Sequence, residues 1–540
     1  MIQAPKNPVG PPAASPAAVP KRAQIPSSRI AWRLLFALAV IVRMVAMVRE
    51  PAYLHPDATW QAIEPAHHLL HGPLAHSALP WEFQQGLRSW MWPMVIALPM
   101  WLGEQLSSLA GVTDIPAWSA NRSALGIYSV RTLCIAIDML TLWGLRCATI
   151  TSWSFQAIRE PKSGAAALRA AWWACLVFVF HPIFSIPGSQ PLIDIPAAAA
   201  LTWLLVASLR AASAPTTMNL AGVGAMMAAA VVIRVQLAPS VLTAALMLGL
   251  HYTRSAPDLR PTPKMIGGAI AGACTFLALT AAVDAWGPAS DVPLAWWWRY
   301  LEFNFHQGTH AFGTMPRSRY LEHAILVCGP VPLLITCVLV GIAGRRARWL
   351  VVAASAFFLF HQLLPYRVWR FIHPGLPLVC GVIGIGYVRL LQWIRPRSPR
   401  LARSSPLLFA AGLALSSAEA WSSGSLWQTT WLYNQGGAKA VSSSRELNMA
   451  LLWCAGDHET KRVVQWLLPG AASPGQAFVG HDIPVLSPLG RPELAPVPRS
   501  GDRWIVPSTQ AVAAGGMGMT VVHKTQDVAI FAVLPRRAPK

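Results

Sequence analysis

Long apolar runs alternate with short polar connections along most of the chain, and Arg, Lys or Pro residues mark their boundaries. Many of these runs approach the length of about 20 residues that a helix needs to cross a hydrocarbon core of about 30 Å. The runs lie near residues 30–48, 123–143, 171–186, 194–209, 219–236, 238–253, 265–284, 323–343, 349–364, 372–394 and 405–421. The pattern therefore predicts an all-α polytopic membrane protein with about 11 transmembrane helices.

The composition favours a membrane protein over a set of soluble domains. Of 540 residues, 54% are hydrophobic and 12% are charged, and the mean hydropathy is +0.43. The formal net charge of +21 does not indicate nucleic-acid binding, because the arginines stand between apolar runs and no soluble segment forms a basic helix. The eight cysteines have no CxxC spacing, so we predict neither a disulfide framework nor a zinc site.

Basic residues set the predicted orientation. Lys21, Arg22 and Arg29 place the N-terminus in the cytoplasm, with residues 1–28 as a disordered Pro- and Ala-rich tail. The run over residues 89–102 is short and rich in Trp and Pro, so we expect a helix that lies in the membrane interface or re-enters the membrane. If this run does not cross, the basic connections are cytoplasmic: Arg254, Arg260, Lys264, Arg345, Arg346, Arg348, Arg395, Arg397, Arg400 and Arg403.

Two long external loops interrupt the transmembrane domain, which is predicted over residues 29–421. The first loop covers residues 49–122. The second covers residues 285–322, in which Gly and Thr residues surround His310. Such a flexible polar loop would close over a substrate, so we predict that it acts as a lid.

The C-terminal part, residues 422–540, contains no long apolar run. The alternating patterns of Met519–His523 and Val528–Leu534 predict two strands, and residues 445–468 carry a helical pattern. We therefore expect a small external α/β domain, and no catalytic motif stands out in it.

Acids, histidines and aromatic residues are concentrated just after the first apolar run. The pattern predicts a helix over residues 59–70, which would place Gln61, Glu64 and His68 on one face. Asp57 precedes this helix. An aspartate at a helix N-terminus stays ionised, which suits a general base, and the same position also suits a helix cap, so both roles remain open.

Two further charged residues stand at the external ends of apolar runs. Asp194 either caps a helix or belongs to a site, because an unpaired carboxylate is costly in a membrane. Arg234 lies in a tight hairpin, where it either extends to the interface or binds a phosphate or a buried acid.

Arg367 and Arg370 also stand at an external end, against the usual preference of basic residues for the cytoplasmic side. They either bind a lipid-linked phosphate or form ion pairs with Asp57 or Glu64. No GxxxxGK[ST], HExxH or GxSxG motif is present, so the sequence indicates no P-loop, zinc-protease or serine-hydrolase mechanism.

In order and spacing, these motifs resemble glycosyltransferase family 22, whose GT-C members include GPI and dolichol-linked oligosaccharide mannosyltransferases. The residues that carry the resemblance are His55, Pro56, Asp57, Gln61, Glu64, His67 or His68, Pro80, Trp81, Glu82, Arg88, Ser89, Pro93, Arg131, Asp138, Asp194, Arg370, Phe371, Ile372 and Pro374. The chain departs from the family pattern at Ala58, where a second acid is usual, at Val235, where an Arg-Pro is common, and in lacking a His-Lys-Glu before Arg370.

The resemblance implies a GT-C fold and an inverting transfer of mannose from a polyprenyl or dolichyl phosphate mannose donor to a lipid-linked glycan. It implies Asp57 as the catalytic base and Arg367 and Arg370 as phosphate ligands, with no cofactor and no metal ion. The predicted substrate-binding residues are Gln61, Glu64, His68, Glu82, Arg88, Asp194, Arg234, His310, Arg367 and Arg370.

The resemblance also implies a site on the lumenal or periplasmic face, in the endoplasmic reticulum of a eukaryote or the inner membrane of a bacterium. Membrane lipid would surround the chain, and no nucleic acid would bind. Two alternatives remain. A flippase or transporter of a lipid-linked sugar would place paired charges along the midplane of several spans, whereas here the charges gather at one face. A catalytically silent relative would be compatible with Ala58.

Overall fold

A computed structural model describes residues 29–49, 56–72, 79–109, 122–155, 163–287, 292–306 and 314–422, together with residue 454 and five C-terminal strands. The described chain is mainly helical up to Ser422, which confirms the predicted fold class. The helices, numbered here in chain order, are α1 (Arg29–Arg49), α2 (Pro56–Ala58), α3 (Glu64–His71), α4 (Trp81–Gln84), α5 (Met91–Leu109), α6 (Arg122–Phe155), α7 (Ser163–Phe180), α8 (Pro182–Ser185), α9 (Asp194–Ser213), α10 (Thr217–Ile233), α11 (Ala238–Arg254), α12 (Pro263–Trp286), α13 (Ala295–His306), α14 (Arg319–Cys328), α15 (Pro330–Ala343), α16 (Arg348–Leu363), α17 (Trp369–Ile372), α18 (Leu376–Ile394) and α19 (Pro399–Ser422). The predicted tail, residues 1–28, lies outside the described residues.

Seven of the described segments are long and apolar enough to cross a membrane, or eight if the bent pair Gly164–Phe180 and Pro182–Ser189 is one span. All eleven predicted runs lie on helices. Several of these helices are short: α10 has 17 residues and α15 has 14. A 3₁₀ turn joins α15 to α16. The number of complete spans is therefore smaller than the number of apolar runs.

The helix α5 covers the run for which an interfacial position was predicted, and it extends that run to 19 residues. One face exposes Leu98, Leu102 and Leu106, while Glu104 is buried on another face. An amphipathic helix of this kind lies in the membrane interface with its apolar face toward lipid. Helix α5 is not among the candidate spans, and its interfacial position stays a prediction.

Polar residues of distant segments meet at one end of the bundle. Helix α9 begins at this end with Asp194, and α10 ends there immediately before Arg234, which pairs with Asp194. The connection holding Arg254, Arg260 and Lys264 follows α11 and lies at the opposite end. The cytoplasmic position of this basic connection stays a prediction.

Helices α10 and α12 pack with their backbones in close contact. A Cβ atom at Gly224 would lie 1.8 Å from the carbonyl oxygen of Ala269, and one at Gly272 would lie 2.1 Å from that of Ala221. Small residues permit such an approach between membrane helices, where dispersion contacts replace the hydrophobic effect as the driving force. Through these contacts α12 is held beside the bundle although most of its surface is exposed.

The described C-terminal strands form one sheet in the order β2-β1-β3-β5-β4. Strand β1 is parallel to β2 and β3, and β5 is antiparallel to β3 and β4. The two predicted strands are confirmed as β4 and β5, but the helix predicted over residues 445–468 is wrong at β1, where two β-branched valines lie in a strand. Most of that helix lies outside the described residues. The strands are β1 (Arg462–Gln465), β2 (Val485–Leu486), β3 (Asp502–Pro507), β4 (Met519–Lys524) and β5 (Val528–Val533).

Candidate functional site

Asp57 lies in the short helix α2, which continues as a π-helical turn over Thr59–Ile63 before α3 begins. The helix predicted over residues 59–70 is present, but its first part is wider than an α-helix. Pro65 explains the change, because it has no N–H to donate to the carbonyl of Gln61 four residues earlier. The side-chain amide of Gln61 donates from Nε2 to Asp57 Oδ2 at 2.9 Å and lies 3.4 Å from Glu82 Oε1.

Four charged residues from distant parts of the chain form a continuous network, which we call the Asp–Arg network: Asp57, Arg370, Asp194 and Arg234. Arg370 donates from Nη2 to Asp57 Oδ2, and its Nη1 lies 3.7 Å from Asp194 Oδ2. The other oxygen of Asp194 pairs with Arg234. The predicted pairing of Arg370 with Asp57 is therefore present, and Asp194 and Arg234 have each other as partners.

Burial differs along this network. The side chain of Asp194 is 0% exposed and that of Arg234 is 4% exposed, whereas that of Asp57 is 18% exposed. The guanidinium groups of Arg234 and Arg370 lie 5.2 Å and 4.8 Å from the ring centroid of Phe371, a range typical of cation–π contacts. The accessible end of the network is therefore Asp57, and the interior end is the Asp194–Arg234 pair.

A second charged pair lies beside Gln61. Arg88 binds Glu82 in a bidentate way, with Nε–Oε2 and Nη2–Oε1 distances of 2.9 Å and 3.1 Å. Its guanidinium lies 5.1 Å from the ring centroid of Tyr300, whose hydroxyl accepts a hydrogen bond from Gln236. Burial acts to lower the pKa of Arg88, but Glu82 and Tyr300 outweigh it, so the pKa of Arg88 is raised above its ordinary value. Arg88 is therefore a permanent cation.

Other predicted site residues occupy different surroundings. Glu64 is buried on α3, and His68 lies with its ring centroid 6.5 Å from that of Trp90. Partial burial lowers the pKa of His68 below its ordinary value, which favours a neutral ring near pH 7. His310 lies outside the described residues.

Arg367 does not join Arg370, although both were predicted to bind phosphate. Its Nη1 donates to the carbonyl of Met315 at 2.6 Å and to that of Pro365 at 3.2 Å, and its Nη2 donates to the carbonyl of Gln362 at 2.8 Å. Backbone carbonyls therefore occupy both terminal nitrogens. These contacts hold the chain around Met315 against the end of α16, and the predicted phosphate contact of Arg367 stays a prediction.

Asp284 is a residue of this region that the sequence did not single out. Its Oδ1 accepts hydrogen bonds from Ser89 Oγ at 2.8 Å and from the Trp90 backbone N–H at 2.9 Å, and its Oδ2 accepts one from Trp296 Nε1 at 2.8 Å. It thereby joins the first external loop to α13. A carboxylate near the end of an apolar run was the available signal.

Arg43 was also missed, although a charge within the first apolar run is unusual. It pairs with Asp138 on α6, and both side chains are almost fully buried. Arg131, also on α6, donates to the carbonyl and hydroxyl of Ser189, each at 3.2 Å. These contacts fix the turn that leads into α9, and so they position Asp194 without touching it.

Two apolar cavities lie near the site, and charged residues line the first of them. The first, of about 470 Å³, has Gln61, Arg88, Arg234 and Gln236 among its polar residues, and it continues between α6, α9, α10 and α12. Its apolar wall includes Leu140, Trp203, Met226, Phe276 and Leu279. The second, of about 590 Å³, is lined by Trp369 and Ile372 of α17 and by residues of α14, α15, α18 and α19. Long apolar cavities with a few polar groups at one end suit lipid substrates.

Among the described residues, no three His, Cys, Asp or Glu side chains come together as a metal site would require. The two carboxylates of the Asp–Arg network, Asp57 and Asp194, are linked through Arg370. The network therefore places one arginine cation, Arg370, between its two acids.

The helical bundle with its charged site shares the fold of solved membrane-protein structures of the GT-C type. ArnT from Cupriavidus metallidurans bound to undecaprenyl phosphate matches with a TM-score of 0.58 and 13% identity, covering 95% of this chain and 100% of that one. Its apo state matches with a TM-score of 0.57 and 14% identity, covering 94% and 98% of the two chains. At this identity the likeness shows the fold alone.

The chain belongs to the Alg9-like mannosyltransferase family, which it matches over residues 34–427. The family predicted from the sequence motifs is thereby confirmed. Curated relatives are GPI mannosyltransferase 3 of Yarrowia lipolytica, 25% identical over 368 residues, and of Candida albicans, 23% identical over 375 residues. Each match covers 66% of this chain, with 63% and 64% of the relatives, respectively. The protein of the same name from Drosophila melanogaster is 38% identical over 63 residues, 12% of this chain and 11% of its own length. The chain thus spans less than two thirds of these relatives.

Proposed function

We propose that this chain is an inverting membrane mannosyltransferase, which moves mannose from a polyprenyl or dolichyl phosphate mannose donor to a lipid-linked glycan. The observation that carries the proposal is the position of Asp57. This carboxylate lies between Arg370 and Gln61, and Gln61 in turn borders an apolar cavity that also contains Arg88 and Arg234. A base, phosphate-binding cations and a lipid-sized cavity are the parts that the reaction needs.

The proposed reaction is a single displacement. The acceptor hydroxyl gives its proton to Asp57 as its oxygen attacks the anomeric carbon of mannose, and the bond from that carbon to the donor phosphate breaks with its electron pair going to the phosphate oxygen. Attack opposite the leaving group inverts the anomeric configuration. The residues present require no cofactor for this step.

The first cavity is proposed to hold the donor. Arg88 and Arg234 border its polar end, where the phosphate of the donor would accept charge-assisted hydrogen bonds. The prenyl chain would lie between Trp203, Phe276 and neighbouring apolar residues. Gln61 and Gln236 border the same end and have amide groups of the kind that bind sugar hydroxyls.

The second cavity is proposed to hold the lipid part of the acceptor. It lies against Trp369 and Ile372, which flank Arg370 on α17, and Tyr320 and Gln362 supply polar groups among its lining residues. Donor and acceptor lipids would then approach the Asp–Arg network from two separate cavities. Two separate cavities support a reaction between two lipid-linked molecules more than they support transport of a single lipid-linked sugar.

The proposed location of the site is the lumenal or periplasmic face of the membrane. The polar loops lie at the end of the bundle opposite the basic connection after α11, and basic connections favour the cytoplasmic side. The membrane would be the endoplasmic reticulum in a eukaryote and the inner membrane in a bacterium.

Transfer of labelled mannose tests the proposal. Purified protein in lipid is incubated with polyprenyl phosphate mannose and a panel of mannose-ended glycolipids, and wild type is compared with Asp57→Asn. We expect a loss of transfer by at least about 10²-fold in the variant, since a general base contributes about 10²–10⁴-fold. Equal transfer by both proteins would remove Asp57 as the base. Translocation of a glycolipid without transfer would instead favour a flippase, and binding of donor and acceptor without either would favour a catalytically silent relative.

A further inference from the structure

The proposed base is already engaged by a cation. Arg370 Nη2 and Gln61 Nε2 both donate to the same oxygen of Asp57, Oδ2. A lone pair that accepts a hydrogen bond from guanidinium is not available to a proton. Withdrawal of Arg370 would free a lone pair of this oxygen for the proton and remove the cation that competes with it.

The proposed reaction moves negative charge in a direction that would draw Arg370 away. Before transfer, Asp57 carries one negative charge and the phosphodiester of the donor carries another. Afterwards Asp57 is protonated and neutral, and the phosphate, now a monoester, can carry two. One unit of charge thus passes from Asp57 to the leaving phosphate, and a cation is stabilised by following it.

The two ion pairs of the Asp–Arg network differ in how easily they can open. Asp194 is fully buried and pairs with Arg234, and both lie in the interior. Asp57 is 18% exposed, and Arg370 Nε has no hydrogen-bond partner within the described part of the chain. The Asp57–Arg370 pair can therefore open without leaving the buried Asp194 unpaired.

The destination of the exchange is within reach of Arg370. The two oxygens of Asp194 face Arg234 and Arg370, so these guanidinium groups are neighbours across one carboxylate. Arg234 borders the first cavity at its polar end. A phosphate bound there by Arg234 would stand beside Arg370.

We propose that Arg370 is a mobile counterion that leaves Asp57 for the phosphate of the polyprenyl donor as the bond between mannose and phosphate breaks. This inference rests on the proposed mannosyltransferase function. The exchange frees the base when the donor is in place and stabilises the leaving group with the same side chain. Before the donor arrives, Asp57 is held by Arg370.

Binding of undecaprenyl phosphate tests this exchange. Wild type, Asp57→Asn, Arg370→Gln and the double variant are compared in nanodiscs of uncharged lipid, with Glu322→Gln as a control that removes the same charge from an exposed pair with Arg319. Asparagine cannot hold Arg370 as an ion pair, so we expect Asp57→Asn to bind undecaprenyl phosphate at least about fivefold more tightly than wild type, the lower bound of ordinary coupling between sites. The double variant should lose this gain and bind like Arg370→Gln.

Unchanged or weaker binding by folded Asp57→Asn would overturn the proposal, as would a gain that persists in the double variant. A gain of the same size in Glu322→Gln would also contradict it, because net charge alone would then account for the effect. If Arg370→Gln does not fold, Arg370→Lys replaces it and should give a smaller gain with Asp57→Asn, since lysine lacks the fork that binds phosphate bidentately. If wild type transfers mannose and binds undecaprenyl phosphate but Asp57→Asn shows no gain in binding, only the exchange is refuted. If wild type neither transfers mannose nor binds the lipid, the proposed function is refuted as well.

Discussion

The Asp194–Arg234 pair provides a direct test of the buried part of the site. Both side chains are almost completely buried, with exposed fractions of 0% and 4%. The change Asp194→Asn keeps the shape of the side chain and removes its charge. Arg234 would then be a buried cation without a neutralising carboxylate, which costs about 3–5 kcal/mol in comparable buried pairs.

The two partners should not respond equally. Removal of Arg234 by Arg234→Met leaves Asp194 with Arg370, whose Nη1 is 3.7 Å from Asp194 Oδ2 and can move closer. We therefore expect a smaller loss for Arg234→Met than for Asp194→Asn. The double variant should recover part of the loss, because neither charge remains uncompensated in the Asp194–Arg234 pair.

Equilibrium unfolding in mixed micelles, followed by tryptophan fluorescence, measures these free energies. Thr202→Val is a matched control on α9, because Thr202 is fully buried and its hydroxyl donates only within its own helix, to Ala198 O at 2.7 Å. A loss for Asp194→Asn no larger than that of Thr202→Val would refute the reasoning, and so would strictly additive effects in the double variant. Mannose transfer should stay low in the double variant even where stability recovers, since Arg234 is also proposed to bind phosphate.

Two further predictions concern residues around the site. Burial lowers the pKa of His68, so the unfolded chain binds more protons than the folded chain below about pH 6.5 and stability should fall as the pH drops below that value; His68→Gln should flatten this fall in a thermal-unfolding series. Replacement of Asp284 by Ala removes the acceptor for Ser89, Trp90 and Trp296 and should cost about 2 kcal/mol or more of stability. Asp284→Ala should raise the KM for the donor more than it lowers kcat, whereas Trp296→Phe, which removes a single hydrogen bond to Asp284, should do less; equal effects of both would contradict the linking role of Asp284.

The helices were predictable because a hydrocarbon core leaves the chain few choices. Backbone groups in lipid must be paired within the segment, so a long apolar run becomes a helix whatever its sequence in detail. This reasoning placed α1, α9 and α12 correctly. It located the break between α15 and α16, but it missed the break at Gly329 between α14 and α15 and the π-helical turn within the first external loop, because such breaks depend on single residues such as Gly329 and Pro65.

The site was predictable in its residue types and less so in its pairing. Asp57 and Arg370 are 313 positions apart, and local patterns carry no information about which distant charges meet. Arg367 and Arg370 are only three positions apart, yet one binds backbone carbonyls and the other binds a carboxylate. The difference arises because Arg370 lies inside α17 whereas Arg367 precedes it, a boundary that the sequence did not mark.

Ala58 illustrates how the spatial arrangement changes the meaning of a sequence departure. Its side chain is 0% exposed and belongs to the apolar core, so an acid at this position would place a charge among apolar side chains at a cost of several kcal/mol unless it were paired. The carboxylate that accompanies Asp57 comes instead from α9, where Asp194 faces the same arginine from its other side. Because Arg370 joins the two acids through space, the loss of an acid next to Asp57 in the sequence leaves the Asp–Arg network with two carboxylates and two guanidinium groups. An alanine at position 58 is therefore compatible with an intact base.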